Sequence, residues 1–185
     1  DSLRGGASML VNTNKLIRFY DGATGLKTGS TDAAGYCLSA TAEKNGMELI
    51  AVVLKGRTSD ERFADAKALL NYGFSTWSLV TVTPDEVLPP VPVTLGVRSA
   101  VQPVLTSDNI LLVEKARVNG LTKEVTLEES MAAPVYAGDA LGVLTVRDAD
   151  GNALAALPLL AGEDVGHVTY GQMLRRYLAL GFCTA

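Results

Sequence analysis

Gly25-Leu26-Lys27-Thr28-Gly29, followed by Ser30-Thr31-Asp32-Ala33-Ala34-Gly35-Tyr36-Cys37-Leu38-Ser39-Ala40, is the stretch on which the fold turns. The turn-forming run Asp21-Gly22-Ala23-Thr24-Gly25 leads into it, so residues 26–30 are expected to form a strand. Residues 35–43 and 48–55 alternate or run apolar like two further strands, and Asn45-Gly46 between them is a strong signal for a two-residue hairpin loop. The triplet Lys27-Thr28-Gly29 therefore heads an antiparallel three-stranded piece. A phosphate loop is excluded on spacing. It needs glycine directly before the lysine and a helix after it, whereas Leu26 intervenes and strand follows.

Ser59-Asp60-Glu61-Arg62 is expected to open a helix capped by Ser59 or Asp60, with Phe63, Ala66, Leu69 and Leu70 on one face and Gly73 as its end. From about residue 78 the texture changes to short β-branched runs at 91–95, 110–114, 124–127 and 141–147, separated by Pro, Gly, Asn and Asp. The turn Asp148-Ala149-Asp150-Gly151-Asn152 follows the last of them. Strands at this spacing predict a small antiparallel sandwich or barrel. Residues 172–182 place Met173, Leu174, Tyr177 and Leu178 on one side, following Tyr170, and Gln172, Arg175 and Arg176 on the other, which reads as an amphipathic helix.

The 185 residues allow one or two domains, and 48% hydrophobic with 19% charged residues is ordinary globular material. Residues 1–77 carry 9 Lys+Arg against 8 Asp+Glu, and residues 78–185 carry 7 against 12. Neither part has the basic stripe of a nucleic-acid footprint, so no nucleic-acid partner is expected. No run reaches the roughly 18 apolar residues of a membrane span, and Asp1-Ser2-Leu3-Arg4 lacks a signal-peptide pattern. Cys37 and Cys183 form neither a disulfide framework nor a metal spacing, and Cys37 is expected to be a small core residue. His167 is the one histidine, which argues against a Ser-His-Asp triad and a histidine-based zinc site. No metal or organic cofactor is implied.

Several segments, in order, resemble the low-molecular-mass penicillin-binding proteins, the serine D-Ala-D-Ala carboxypeptidases of bacterial cell-wall metabolism. They are Asn12-Thr13-Asn14-Lys15-Leu16, the triplet with its flanks, Ala34-Gly35-Tyr36-Cys37-Leu38, Leu49-Ile50-Ala51-Val52-Val53-Leu54 and Leu69-Leu70-Asn71-Tyr72-Gly73-Phe74. Ala133-Pro134-Val135-Tyr136-Ala137-Gly138-Asp139, Leu141-Gly142 and Leu157-Pro158-Leu159 look like the family's carboxy-terminal β domain. The family site combines a Ser-x-x-Lys, a Ser-x-Asn and the Lys-Thr-Gly strand in chain order. Only the third is present, since no serine here has lysine three residues on. Ser107-Asp108-Asn109 follows the triplet instead of preceding it and reads as a turn.

The resemblance implies an α+β fragment of a β-lactamase/transpeptidase-like domain over residues 1–77, a small all-β sandwich over 78–166, and an amphipathic carboxy-terminal helix over 167–185. It implies substrate-binding roles for Lys27, Thr28, Gly29, Ser30 and Arg62, with nucleophile and general base outside this chain. Ser30 would act through its main-chain N–H as an oxyanion donor. Arg57 and Arg62 sit where relatives carry arginines that assist carboxylate binding or pack structurally, and the structural reading is the stronger. Thr13 stands where some relatives have an arginine near the substrate carboxylate. The implied partners are a peptidoglycan peptide ending in D-Ala-D-Ala, β-lactam antibiotics and, through the final helix, a membrane surface; that helix equally reads as docked on its own β domain. The implied location is the extracytoplasmic face of a bacterial cytoplasmic membrane, with a signal sequence upstream. The alternative from another class is a non-catalytic β-rich interaction or positioning module.

Overall fold

The computed structural model describes residues 2–3, 8–9, 12–106 and 108–181. Ser107, Phe182 and Cys183 lie outside the described residues. The chain divides into two compact units, Asp1–Leu79 with Leu112–Ala116, and Val80–Leu111 with Arg117–Ala185.

The first unit opens with the short pair β1 (Ser2–Leu3) and β2 (Ser8–Met9) and the helical turn α1 (Leu16–Phe19). The expected three strands follow as β3 (Ala23–Thr31), β4 (Gly35–Lys44) and β5 (Met47–Gly56), antiparallel in the order β3-β4-β5. Asn45 and Gly46 have φ of 52° and 76°, the left-handed pair that a two-residue hairpin of this hand demands, and Lys44 pairs with Met47 across it. That turn fixes the register, and alternation along β4 then sends Leu38, Ala40 and Ala42 to one face. There they meet Ala51 and Val53 of β5, Leu16 of α1, Tyr20, and Phe63, Ala66 and Leu70 of α2 (Ser59–Thr76). The opposite face of β5 carries Ile50, Val52 and Leu54, all exposed.

Helix α2 corrects three expectations, and strand β4 a fourth. Its cap is Thr58, one residue earlier than expected, whose Oγ1 accepts the Glu61 N–H at 3.1 Å. The Glu61 carboxylate reaches back to the Arg57 N–H at 3.0 Å. Three successive capping residues compete here, and Thr58 is the one with extended backbone (φ −132°, ψ 161°). The helix also continues through Gly73 to Thr76. That glycine serves close approach to the sheet, because a Cβ on it would lie 2.5 Å from Leu49 Cδ1. Leu69 is 49% exposed, and the buried face takes in Arg62 beside Phe63, Ala66 and Leu70. Cys37 is only half-buried, on the face of β4 opposite Leu38, so it is not a core residue.

Strands β6 (Trp77–Thr81) and β10 (Ile110–Glu114) each begin in one unit and end in the other. The second unit is the expected all-β sandwich. One sheet has the order β12-β7-β8, with β7 (Val91–Thr94), β8 (Ala100–Val101) and β12 (Met131–Ala132). The other has the order β11-β13-β14-β9, with β9 (Pro103–Leu105), β11 (Thr122–Leu127), β13 (Ala140–Arg147) and β14 (Ala153–Ala161). Two apolar clusters fill it, one around Val91, Val101, Val135, Leu141 and Val165, the other around Val82, Leu144, Val146 and Leu159. Ser107 of the expected turn lies outside the described residues, and Asn109 pairs with Val82: its Nδ2 donates to the Val82 carbonyl at 2.9 Å, and its own carbonyl accepts the Val82 N–H at 2.7 Å. The chain then forms α3 (Tyr170–Gly181), whose capping box pairs Thr169 with Gln172.

The β13–β14 connection is built on Asp148, 3% exposed. Its carboxylate accepts the N–H groups of Asp150 and Asn152 at 3.0 and 2.9 Å and the Asn152 amide at 3.2 Å, with Arg117 Nη1 at 3.5 Å. These bonds, the Asn152 N–H foremost, hold its pKa below the ordinary carboxylate range against the opposing effect of burial. A depressed folded-state pKa stabilises above the unfolded value of about 3.9 and is lost as pH falls through the folded one. Asp148→Asn is therefore expected to lower the stability of this chain at pH 7. It should also flatten its loss of stability in the acid limb, as read by urea unfolding across pH 2 to 7.

Candidate functional site

Alternation along β3 gives its residues different surroundings. Thr28 is directed to the face covered by α1 and α2 and is 9% exposed, while Lys27, Gly29 and Ser30 are exposed. Lys27 Nζ folds along the strand to the Thr28 carbonyl at 2.7 Å. The Thr28 hydroxyl meets the Thr13 hydroxyl, Oγ1 to Oγ1, at 2.8 Å. Thr13 thus stands beside the triplet, although it lies 15 positions before Thr28 in the chain. Sequence reading placed it near the site by resemblance only, since a pairing of two hydroxyls leaves no local pattern.

Arg62 stands in the structural place that the sequence reading favours for it. It is 7% exposed, and its Nη1 donates to the carbonyls of Gly29 and Cys37, both at 3.2 Å, while Nη2 donates to Ser59 Oγ at 3.3 Å. The rings of Phe63 and Tyr36 lie 4.9 and 5.3 Å from the guanidinium carbon. The guanidinium is therefore engaged with the main chain of β3 and β4, in keeping with the structural one of the two roles read for Arg62. Arg57 is exposed and joins the site only through its N–H at the start of α2.

Among the described residues β3 is the end strand of its sheet, and a Cβ placed on Gly29 would meet nothing within 4 Å. An extended ligand can pair along this open edge and lie close to the main chain. A shallow groove of about 480 Å³ borders Thr13, lined by Asn12, Lys15, Arg18, Ser59 and Arg62. The described residues hold no group of three or more His, Cys, Asp or Glu placed to bind a metal. What this edge offers is chemistry of binding and charge: a backbone ladder, an ammonium and a held hydroxyl.

Comparison with known proteins matches residues 5–58 to the family described as D-alanyl-D-alanine carboxypeptidase and residues 80–167 to the family described as penicillin-binding protein 5, C-terminal domain. The D-alanyl-D-alanine carboxypeptidase DacF of Bacillus subtilis (strain 168) is 34% identical over 169 residues, 90% of this chain and 43% of that protein. DacA of Escherichia coli (strain K12), another D-alanyl-D-alanine carboxypeptidase, is 30% identical over 162 residues, 85% of this chain and 40% of that protein. Among solved structures, penicillin binding protein 5 from Haemophilus influenzae superposes with a TM-score of 0.66 at 26% identity, covering 84% of this chain and 46% of that one. The chain spans less than half the length of the curated relatives it matches.

The open space at Gly29 and the closed space at Gly35 make a paired test. Gly35 has φ +62°, and a Cβ there would stand 2.9 Å from the Gly56 carbonyl oxygen. Gly29→Ala is expected to leave the thermal midpoint within about 2 °C, whereas Gly35→Ala should cost about 1 kcal/mol or more. Thermal unfolding of the two variants of this chain reads the difference.

Proposed function

The chain belongs to the low-molecular-mass penicillin-binding proteins, and we propose that it is the carboxy-terminal part of a serine-type D-Ala-D-Ala carboxypeptidase that removes the terminal D-Ala of a peptidoglycan pentapeptide through an acyl-enzyme. The observation that carries this reading is the open β3 edge at Lys27-Thr28-Gly29, inside the residues matched to the carboxypeptidase family. Residues 1–77 contribute to the catalytic domain, 78–166 form the appended β domain and 167–185 the terminal helix. The family matches at 5–58 and 80–167 support that division.

In this reading the substrate peptide adds as a strand to β3. The Lys27 ammonium supplies positive potential, and the Thr28 hydroxyl, held by Thr13, donates to the terminal carboxylate. A serine from the remainder of the protein attacks the penultimate carbonyl, and the oxyanion is met by the Ser30 N–H and by the nucleophile's own N–H. D-Ala leaves, and water releases the shortened peptide from the acyl-enzyme. A β-lactam enters the same step but leaves slowly.

In the complete enzyme, Lys27→Ala is expected to lower the acylation rate by penicillin by about 10²-fold, the scale of one deleted electrostatic stabiliser. This chain by itself is expected to form no covalent adduct with penicillin by mass spectrometry. Wild-type acylation kinetics in a folded Lys27→Ala enzyme would remove the triplet from the site.

Location at the extracytoplasmic face of the membrane rests in this proposal on α3. Among the described residues no helix is long and apolar enough to cross a membrane. The 12 residues of α3 reach roughly 18 Å at 1.5 Å per residue, against a hydrocarbon core of about 30 Å. Tyr170, Met173, Leu174, Tyr177 and Leu178 are all exposed, a stripe suited to lying at a lipid interface with Arg175 toward the headgroups. Co-sedimentation with anionic vesicles should retain this chain and lose a version ending at Gly166. Equal behaviour of the two would make α3 a packing element.

A further inference from the structure

We propose that Arg62 is a positioning residue for the oxyanion site: it orients and polarises the Gly29–Ser30 peptide group, whose other end is the Ser30 N–H. The inference rests on the function proposed above. It concerns a residue outside the segment matched to the carboxypeptidase family, which ends at residue 58.

The geometry runs through one peptide plane. Arg62 Nη1 donates to the Gly29 carbonyl and, from the same nitrogen, to the Cys37 carbonyl on the neighbouring strand, where Gly29 and Cys37 are register partners. The Gly29 C=O therefore faces β4. The Gly29–Ser30 bond is trans, so its N–H points the opposite way. The opposite way is the open edge of β3, where the extended ligand pairs. The guanidinium thus grips the back of the peptide group whose front faces the ligand.

Two effects follow from a charge-assisted bond at that carbonyl. Mechanically, it stops the peptide plane from rotating about the strand axis, at a place where the edge of the sheet supplies a ladder on one side only. Electronically, a cation on the C=O draws charge through the amide and strengthens the N–H as a donor, the cooperativity of chained hydrogen bonds. The buried setting keeps water from screening either effect, and the planar fork lets one group hold two strands and Ser59 together. With Nη1 and Nη2 engaged by main chain and Ser59, Arg62 acts through Ser30 and not as a donor to substrate.

The test uses the complete enzyme with Arg62→Gln, Arg62→Met and Arg62→Lys. Stopped-flow acylation by benzylpenicillin separates the binding constant from the acylation rate, and infrared spectroscopy reads the ester carbonyl of the acyl-enzyme, whose stretching frequency falls as its donors strengthen. The neutral variants are expected to lose about 10-fold in acylation rate, less than the 10²-fold or more for deleting a donor outright, with binding within about twofold and the carbonyl stretch moved to higher frequency. Arg62→Lys, which keeps the charge and loses the fork, should fall between them and wild type, about threefold down. Whichever neutral variant folds, as judged by thermal unfolding, carries the comparison; if neither does, Arg62→Lys carries it. Weaker binding at an unchanged acylation rate would make Arg62 a substrate contact and overturn the proposal. So would an unmoved carbonyl stretch. Failure of the wild-type enzyme to form any acyl adduct would instead bring down the carboxypeptidase reading, and this inference with it.

Discussion

Close contact between helix α2 and one face of the three-stranded sheet is the constraint from which the first unit follows. Ala40, Ala42 and Ala66 are fully buried between them, and Gly73 comes so near Leu49 that no Cβ fits beside its present rotamer. Small side chains let the helix backbone sit low on the strands, and Leu38, Phe63 and Leu70 fill the space that remains. A helix seated this low brings its first turn against β3 and β4. There Arg62 can reach main-chain carbonyls that a more distant helix would leave to the ladder alone.

Burying a guanidinium is unfavourable unless its donors are met. Two carbonyls, one hydroxyl and two aromatic rings meet most of them, though Nε has no partner among the described residues. A lysine would carry the charge but not the planar fork, and an apolar residue would pack without gripping the strand edge. The cost of burial is offset locally, and what is gained is a fixed position for the strand at Gly29. Strand β3 needs that support because an end strand has a ladder on one side only.

The parts of the fold written in local pattern were legible in the residues. Asn45-Gly46 announced a hairpin because both positions must take positive φ, and they do. The apolar run of β5 announced a strand, though its two faces have different fates: Ala51 and Val53 are buried under α2, and Ile50, Val52 and Leu54 are exposed. Short β-branched runs announced the sandwich. Legibility failed where several residues could play one part or where partners are distant in sequence. Thr58, Ser59 and Asp60 all cap helices well, and only backbone geometry selects Thr58. Gly73 reads as a helix stop because the Leu49 side chain packed against it is 24 residues away. Leu69 left the buried face expected for it because helical spacing gives a stripe without its centre.

The candidate site was legible as a motif and illegible as a mechanism, for a reason that lies in its chemistry. Lys27 and Thr28 can be recognised by residue type, but the oxyanion donor proposed here is the Ser30 main-chain N–H, a group that every residue except proline possesses. Its competence depends on where that peptide plane points, and the groups that set the plane are not neighbours in sequence. Arg62, on the Gly29 carbonyl, lies 33 residues beyond it, and Thr13, which holds the Thr28 hydroxyl and not the peptide plane, lies 15 before Thr28. A charged residue in the first turn of a helix reads as solvated, and a threonine before a short helix reads as a cap. Once the strand and helix are assembled, both become the fixed surroundings of a site whose reacting groups come partly from main chain. In the proposed function the triplet supplies the larger effect, and the supporting residues tune how well the edge stabilises charge.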